Sequence, residues 1–383
     1  MEDRRSLLPR VLADFNLFDA WLRVRGNRGC PGADGVTIRQ FEGSLEVHLA
    51  QLKREVMGRS YAPRPMLRVL IERPGRKPRY LSIPTVRDRV LQTAVALVLT
   101  PIFEAEFEEC SFAYRKGRSV QQALARVSRY REEGYRWVVD ADIRSYFDEI
   151  DHKLLMGEVR ELVGDEAVLR LIERWIGGEV TDGERSWRMV RGVPQGSPLS
   201  PLLANLFLDR LDEALLDEDL RLVRFADDFL VLCRSRERAE AALELTEEVL
   251  EELRLQVNET KTHIVDFDHG FRFLGVDFVR SLALRHRYPE YSETEPEPPP
   301  AETLGLEAIP ADETLAGESD AAKGEKESAS AVARLEAEAN DGQEGEQESS
   351  LTALPEEQPS SGHVRWTPST GQGWLSDKWN LLR

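Results

Sequence analysis

The sequence predicts an α+β fold followed by a disordered acidic tail, and three observations carry that reading. Leu222 to Cys233 places two short apolar runs around Asp227-Asp228, the pattern of two buried strands joined by a tight turn. Runs with apolar residues at helical spacing lie between short strand-like segments along most of the first 290 residues. From Tyr291 to about Gly362 the composition shifts to Pro, Glu, Ser, Ala and Gly with few aromatic residues, too little apolar surface to order itself, and this stretch reads as a tether.

The elements follow in chain order. Residues 1–25 read as an amphipathic helical extension, with Leu8, Val11, Leu12, Phe15, Phe18, Trp21 and Leu22 as its stripe. Gly26 to Gly35 breaks it; the glycines lack the Gly-Lys-Ser/Thr of a nucleotide loop, so a structural turn is expected. A helix over Phe41–Met57 precedes alternating segments on both sides of Pro74-Gly75, a hairpin whose tip carries Arg73, Arg76, Lys77 and Arg79. Arg87 to Phe107 is a long apolar helix, and Ser111 to Gly117 a turn with Arg115, Lys116 and Arg118 beside it. Ser119 caps a helix through Tyr130. Trp137 to Ile143 is a buried strand in which alternation puts Asp140 and Asp142 on one face. Asp148 and Asp151 read as helix caps. Val193-Pro194-Gln195-Gly196-Ser197-Pro198 starts a helix with a stripe of Leu199, Leu203, Leu206, Phe207, Leu211 and Leu215. After the Asp-Asp hairpin come a helix over Ala239–Leu253, a strand over Ile264–Phe267 and a hairpin element at Phe271 to Val276. His363 to Arg383 is Trp-rich and too short to fold alone, which makes it a candidate docking peptide.

Composition narrows the function. No apolar run is long enough to span a bilayer and the N-terminus has no signal-peptide pattern, so a cytoplasmic protein with no membrane partner is expected. Cys30, Cys110 and Cys233 are isolated from one another, which argues against a disulfide framework or a zinc cluster. The net charge of −18 is mostly a property of the tail: residues 291–362 hold 19 acids against Lys323, Lys326 and Arg334, and residues 1–290 carry only −4. Within the body, Lys53 to Arg89 has eleven basic residues against Glu55, Glu72 and Asp88, a surface that attracts polyanions. Adjacent acids are common in this chain, but Asp227-Asp228 is its only Asp-Asp and is enclosed by apolar residues. Two like charges fixed at one tip are unfavourable without a cation, which points to a divalent metal held by oxygen; hairpin turns also favour Asp for local hydrogen bonds.

The order of parts is specific: a basic hairpin, a strand ending in Asp142 with Phe147 five residues on, Pro194-Gln195-Gly196, Phe225-Ala226-Asp227-Asp228, Lys261-Thr262 and Phe273-Leu274-Gly275. From Gly26 to Leu284 the chain resembles a group II intron-like prokaryotic reverse transcriptase. The resemblance implies a right-hand polymerase with fingers and palm (residues 26–290, palm core 136–152 and 191–280), a reduced or absent thumb, and RNA-directed DNA polymerase activity. It implies that Asp142, Asp227 and Asp228, with the Ile143 backbone carbonyl, hold two Mg²⁺ ions, Mn²⁺ being a substitute. Lys77, Arg79 and Lys261 would meet the triphosphate, Gln195 and Gly196 would line the nucleotide pocket, and Phe147 would be the steric gate against a ribose 2′-hydroxyl. Arg115, Arg118, Phe273, Leu274 and Gly275 would contact primer and template. The implied partners are an RNA template, a DNA or RNA primer and dNTPs.

Two departures qualify the likeness. Phe225 stands where the family usually has Tyr, and the acidic stretch stands where intron-encoded members continue into a helical thumb, which weakens an intron-mobility role. The segments Gly134 to Asp142 and Phe271 to Val276 look most similar to CRISPR-associated reverse transcriptases, which implies spacer acquisition from RNA with a CRISPR adaptation integrase as partner. The alternatives are an intron-type or other retroelement enzyme, a ribonucleotide polymerase, which Phe147 opposes, and a non-catalytic nucleic-acid scaffold, which the retained carboxylates oppose.

Overall fold

The computed structural model describes residues 6–73, 76–216 and 219–285. The sequence readings for residues 286–383, the acidic tether and the Trp-rich segment included, lie outside the described residues, as do the Pro74-Gly75 turn and the Lys77 side chain.

The N-terminal helices are α1 (Leu8–Val11) and α2 (Asp14–Gly26), followed by α3 (Ile38–Glu42) and α4 (Leu45–Met57). The single helix expected over residues 1–25 is thus broken at Leu12-Ala13. Asn16 Nδ2 ties the break by donating to the Val11 and Ala94 carbonyls, both at 3.0 Å. The stripe also turns: Leu17, Ala20, Trp21 and Val24 are buried, whereas Phe15, Phe18 and Leu22 face solvent. These helices share the main hydrophobic core with the apolar helix α5 (Val86–Glu104), so residue 26 is not the edge of a separate extension. The helix expected over Phe41–Met57 is likewise two, interrupted at Gly43-Ser44.

Strands β1 (Met66–Arg73) and β2 (Arg76–Ile83) form the expected antiparallel hairpin, from Leu67 opposite Ile83 to Arg73 opposite Arg76. Helix α6 (Val120–Glu132) starts at Ser119, whose hydroxyl accepts from the Gln122 amide, and leads into β3 (Trp137–Asp142). After α7 (Tyr146–Glu149), the amphipathic pair α8 (His152–Leu162) and α9 (Glu166–Ile176) precedes a short hairpin, β4 (Glu179–Thr181) and β5 (Ser186–Arg188). Asp151 caps α8 as expected; Asp148 lies inside α7 and caps nothing. Strand β4 runs parallel to β1, giving a four-stranded sheet of order β2-β1-β4-β5.

The stripe after Pro198 forms α10 (Ser200–Phe207) and α11 (Asp209–Ala214), with all six expected residues buried. Then come β6 (Leu220–Phe225), β7 (Asp228–Cys233), α12 (Arg236–Glu252) and β8 (His263–Asp266), and a second sheet of order β6-β7-β3-β8. Finally β9 (Phe271–Phe273), β10 (Val276–Val279) and β11 (Leu282–Arg285) make a three-stranded antiparallel sheet. Alternation divides the β6-β7-β3-β8 sheet between two cores. Val139, Phe229 and Val231 face the main core, while Val138, Leu230 and Leu232 pack with α6 and the β9–β10 hairpin. Asp140, Asp142 and Asp228 have the parity of this second face. Among the described residues no helix is long and apolar enough to cross a membrane.

Candidate active site

Strand pairing brings the carboxylates together. Asp142, the last residue of β3, lies directly opposite Asp228, the first of β7, and Phe225 opposite Asp228 leaves Ala226-Asp227 as a two-residue turn. The turn needs a left-handed backbone at its first central position, and Ala226 supplies it at φ 61°, a conformation more usual for glycine. Asp228 has an exposed edge, yet burial of its carboxyl among the surrounding protein, then the charges of Asp227 and Asp142, push it up to about 6. Asp227 is also raised, by burial first and by Asp142 among the charges. One strand residue pair back, burial and then Asp228 and Asp142 push Asp140 up to about 7.

Asp142 is held by the loop between α12 and β8. Lys261 Nζ donates to both of its carboxylate oxygens at 2.9 Å, and Asn258 Nδ2 donates to Oδ2 at 2.9 Å. That contact, together with the carboxylate field, raises the Lys261 ammonium. The Asn258 backbone N–H completes the clamp on the Asp142 carbonyl at 2.7 Å, and the Ile143 side chain is buried beneath it.

The residues expected to face the nucleotide arrive from two directions. Ser82 of β2 donates its N–H to the Gln195 carbonyl at 2.7 Å, and a Cβ on Gly196 (φ 126°) would sit 2.8 Å from the Ser82 carbonyl oxygen, so only glycine permits this approach. The same strand carries Arg79, which is exposed. Phe147 is half-buried against Tyr146, and its carbonyl accepts from Val193 N–H at 2.7 Å, which fixes α7 to the start of the Pro-Gln-Gly loop. Gln195 Nε2 makes only long contacts, 3.5 Å, to Asp148. Phe273 is buried, while Leu274 (φ 48°) and Gly275 (φ 79°) form the tight β9–β10 turn. Arg115 is a correction: it is buried, and its guanidinium is spent on Glu104 and on the carbonyls of Phe107, Glu108 and Ser111, so it staples its own turn. Arg118 stays partly open, bonded to the Glu109 carbonyl.

Residues 71–278 match the family model described as reverse transcriptase (RNA-dependent DNA polymerase). The chain belongs to the reverse transcriptase family. Protein YkfC of Escherichia coli (strain K12) is 32% identical over 299 residues, covering 68% of this chain and 78% of YkfC. The group II intron-encoded protein LtrA of Lactococcus lactis subsp. cremoris is 32% identical over 206 residues, 54% of this chain but only 34% of LtrA. A chain of a solved partial Cas6-RT-Cas1–Cas2 complex is 30% identical, with 65% of this chain and 42% of that chain covered at a TM-score of 0.42. This protein is therefore a group II intron-like reverse transcriptase, an RNA-directed DNA polymerase with a mixed helix and sheet polymerase fold.

The reverse transcriptase holds its Asp227-Asp228 turn from inside by residues that sequence reasoning passed over. Arg224, fully buried in β6, makes a bidentate pair with the equally buried Asp212 of α11 at 2.6 and 2.5 Å. Its remaining nitrogen reaches Asn205 Oδ1 and the Ala226 carbonyl, both at 3.1 Å. Asn205 in turn donates to the Ala113 carbonyl at 2.8 Å, which ties the 111–117 turn to the same network. That turn presents Tyr114, 61% exposed, whose hydroxyl is raised by partial burial and then by the Asp227 charge.

The donor set suits a hard divalent cation: the groups are carboxylate oxygens, and the raised Asp227 and Asp228 resist ionising beside Asp142 unless positive charge joins them. Among the described residues no three His, Cys, Asp or Glu groups are gathered as a ready metal cluster, and Lys261 supplies the cation on Asp142 instead.

Proposed function

We propose that this reverse transcriptase extends a primer on an RNA template with dNTPs, and that Asp142, Asp227 and Asp228, with the Ile143 carbonyl, hold Mg²⁺ for the reaction. When bound, the ions stabilise the attacking 3′-oxygen and the leaving pyrophosphate oxygen of an in-line displacement. The observation that carries the reading is the cross-strand pairing of Asp142 with Asp228 at one open edge, next to Asp227 on the turn. The protein's own groups do the positioning. Arg224 fixes the turn through the Ala226 carbonyl, and Asn258 orients the Asp142 carboxylate. Lys261, at the mouth, either screens the carboxylates or moves onto an arriving triphosphate, where Lys77 and Arg79 on β2 add charge from the fingers. Phe147 sits where its ring discriminates against a 2′-hydroxyl, Gln195 and Gly196 floor the nucleotide pocket, and the Phe273-Leu274-Gly275 turn grips the primer. Mn²⁺ would be held by the same oxygens.

We further propose that the RNA copied belongs to spacer acquisition beside a CRISPR adaptation integrase, on the strength of the Gly134 to Asp142 and Phe271 to Val276 segments. The test of the core reading is RNA-templated primer extension by Asp227→Asn. Extension should fall at least about 100-fold while primer–template binding holds. Undiminished extension would reject the assignment. Recovery of an adaptation integrase with tagged full-length protein tests the narrower reading, and failure to recover it would leave only the polymerase.

A further inference from the structure

Helix α6 buries Ala123, Val127 and Tyr130 against the palm and turns Gln122, Arg126 and Arg129 outward. Between it and the 111–118 turn lies a pocket of about 320 Å³ lined by Phe112, Gly117, Arg118, Gln122, Arg126 and Arg129. Its arginines belong to a longer array in which guanidinium groups lie over buried rings. Arg118 and Arg126 sit 5.5 and 5.8 Å from the Phe112 ring, and Arg126, Arg129 and Arg221 within 5.9 Å of Tyr130. Arg221 and Arg234 continue the array over Tyr135 at 4.9 and 4.3 Å. The acids that meet the pocket arginines are exposed: Glu109 at 3.7 Å from Arg126, a long contact, and Glu133 at 3.2 Å from Arg129, a helical surface pair that solvent screens.

We propose that this pocket and array bind the sugar–phosphate backbone of nucleic acid outside the catalytic cleft. Phe112, Tyr130 and Tyr135 are at most 7% exposed, so they offer no face on which a base can stack. What they do is hold each guanidinium by its flat side, and local bonds fix it further: Arg118 donates to the Glu109 carbonyl, Arg126 to the Tyr130 hydroxyl and Arg234 to the Glu133 carbonyl. The N–H groups of Arg126 and Arg129 not used in this way are then placed for phosphate oxygens at little entropic cost. Such contacts give affinity without reading sequence. The location fits. Helix α6 covers the same sheet face that carries Asp142 and Asp228, and the pocket adjoins the turn presenting Tyr114 toward Asp227. A strand leaving the cleft past Tyr114 runs onto the arginines.

The inference rests on the reading of this chain as a nucleic-acid-copying enzyme, and its test is separable from that reading because it needs neither dNTPs nor metal. Full-length protein in chelator is titrated with primer–template bearing a long single-stranded RNA overhang, and with a blunt duplex of equal paired length, between about 50 and 200 mM salt. Arg126→Gln/Arg129→Gln should weaken overhang binding about 10-fold and flatten the log–log salt slope by about 1.4. The blunt arm identifies the source: an equal loss there places duplex backbone on the array, and no loss there places the single strand. Arg126→Lys/Arg129→Lys should restore the slope while recovering only part of the affinity, since lysine keeps the charge but not the fork. Arg129→Gln alone, at an exposed position, should show about half the slope change and guards against misfolding of the double variant. An unchanged slope in the glutamine variants on both nucleic acids, or a lysine variant no better than glutamine, would overturn the proposal.

Discussion

The two sides of the cleft are built on opposite principles. On the palm side the β6–β7 turn is over-determined: a strained Ala226, a fully buried Arg224–Asp212 pair and the Asn205 link to the 111–117 turn leave the carboxylates one arrangement. On the fingers side, β1 and β2 form the edge hairpin of the β2-β1-β4-β5 sheet, carry the exposed Arg79, and meet the Pro-Gln-Gly loop through the Ser82 backbone. Negative charge is crowded at the turn, met there by Lys261, while Arg79 stands exposed on the hairpin. The difference suits the phosphoryl transfer proposed above, since groups that hold charge at the reacting atoms gain from preorganisation, while groups proposed to recruit a triphosphate must let it in and out.

The largest expected effect comes from breaking the palm's internal support. Asp212→Asn leaves Arg224 buried without a counter-charge and should cost about 3–5 kcal/mol, read as a lowered denaturation midpoint with an unchanged slope. A comparable loss from Arg79→Ala on the exposed hairpin would erase the contrast between the two sides.

Next in size is the pH dependence of the metal-free protein. Asp209, raised to about 8, Asp140, to about 7, and Asp228, to about 6, all have folded-state values above their unfolded ones. Each therefore favours folding fully below about pH 4 and loses that contribution as pH rises through its own folded value. Asp151 and Asp266 are lowered and oppose the trend only at the acid end. Thermal melts in chelator should show stability falling between about pH 5 and 8. A flat or rising profile would show that the carboxylates are not crowded as described.

A smaller effect sharpens the same comparison at the nucleotide. Phe147→Ala should raise ribonucleotide incorporation relative to dNTPs with little change in melting temperature, because the ring is only half-buried. An unchanged rNTP/dNTP ratio would remove its gating role.

The legible parts of this molecule were those whose cause is local. Asp227 and Asp228 announce themselves because apolar strands flank them, whereas alternation along β3 left Asp140 and Asp142 both open and only the resemblance picked Asp142. Helix α6 was readable from Ser119 and its apolar spacing. What depended on partners far along the chain was not. Arg224 looks like any strand arginine until Asp212 and Asn205, on other helices, are brought to it. Arg115 sits in a basic turn that reads as a nucleic-acid contact, yet the carbonyls it caps are its real destination. Asn258 was hidden because an Asn before Lys261 reads as a turn residue, and only the β3–β8 pairing sets it against Asp142. In α2, seven apolar residues allowed more than one stripe, and contact with α5 chose Leu17, Ala20, Trp21 and Val24 over Phe15, Phe18 and Leu22.

The central claim is that the fixed, crowded carboxylates await a cation. Its most direct test is the thermal shift produced by Mg²⁺ on chelator-treated full-length protein at neutral pH, compared between the natural sequence and Asp142→Asn/Asp227→Asn. The account predicts that Mg²⁺ raises the melting temperature of the natural protein and leaves the double variant, already relieved of its repulsion, unmoved. An equal Mg²⁺ shift in both proteins would place the cation elsewhere and contradict the account.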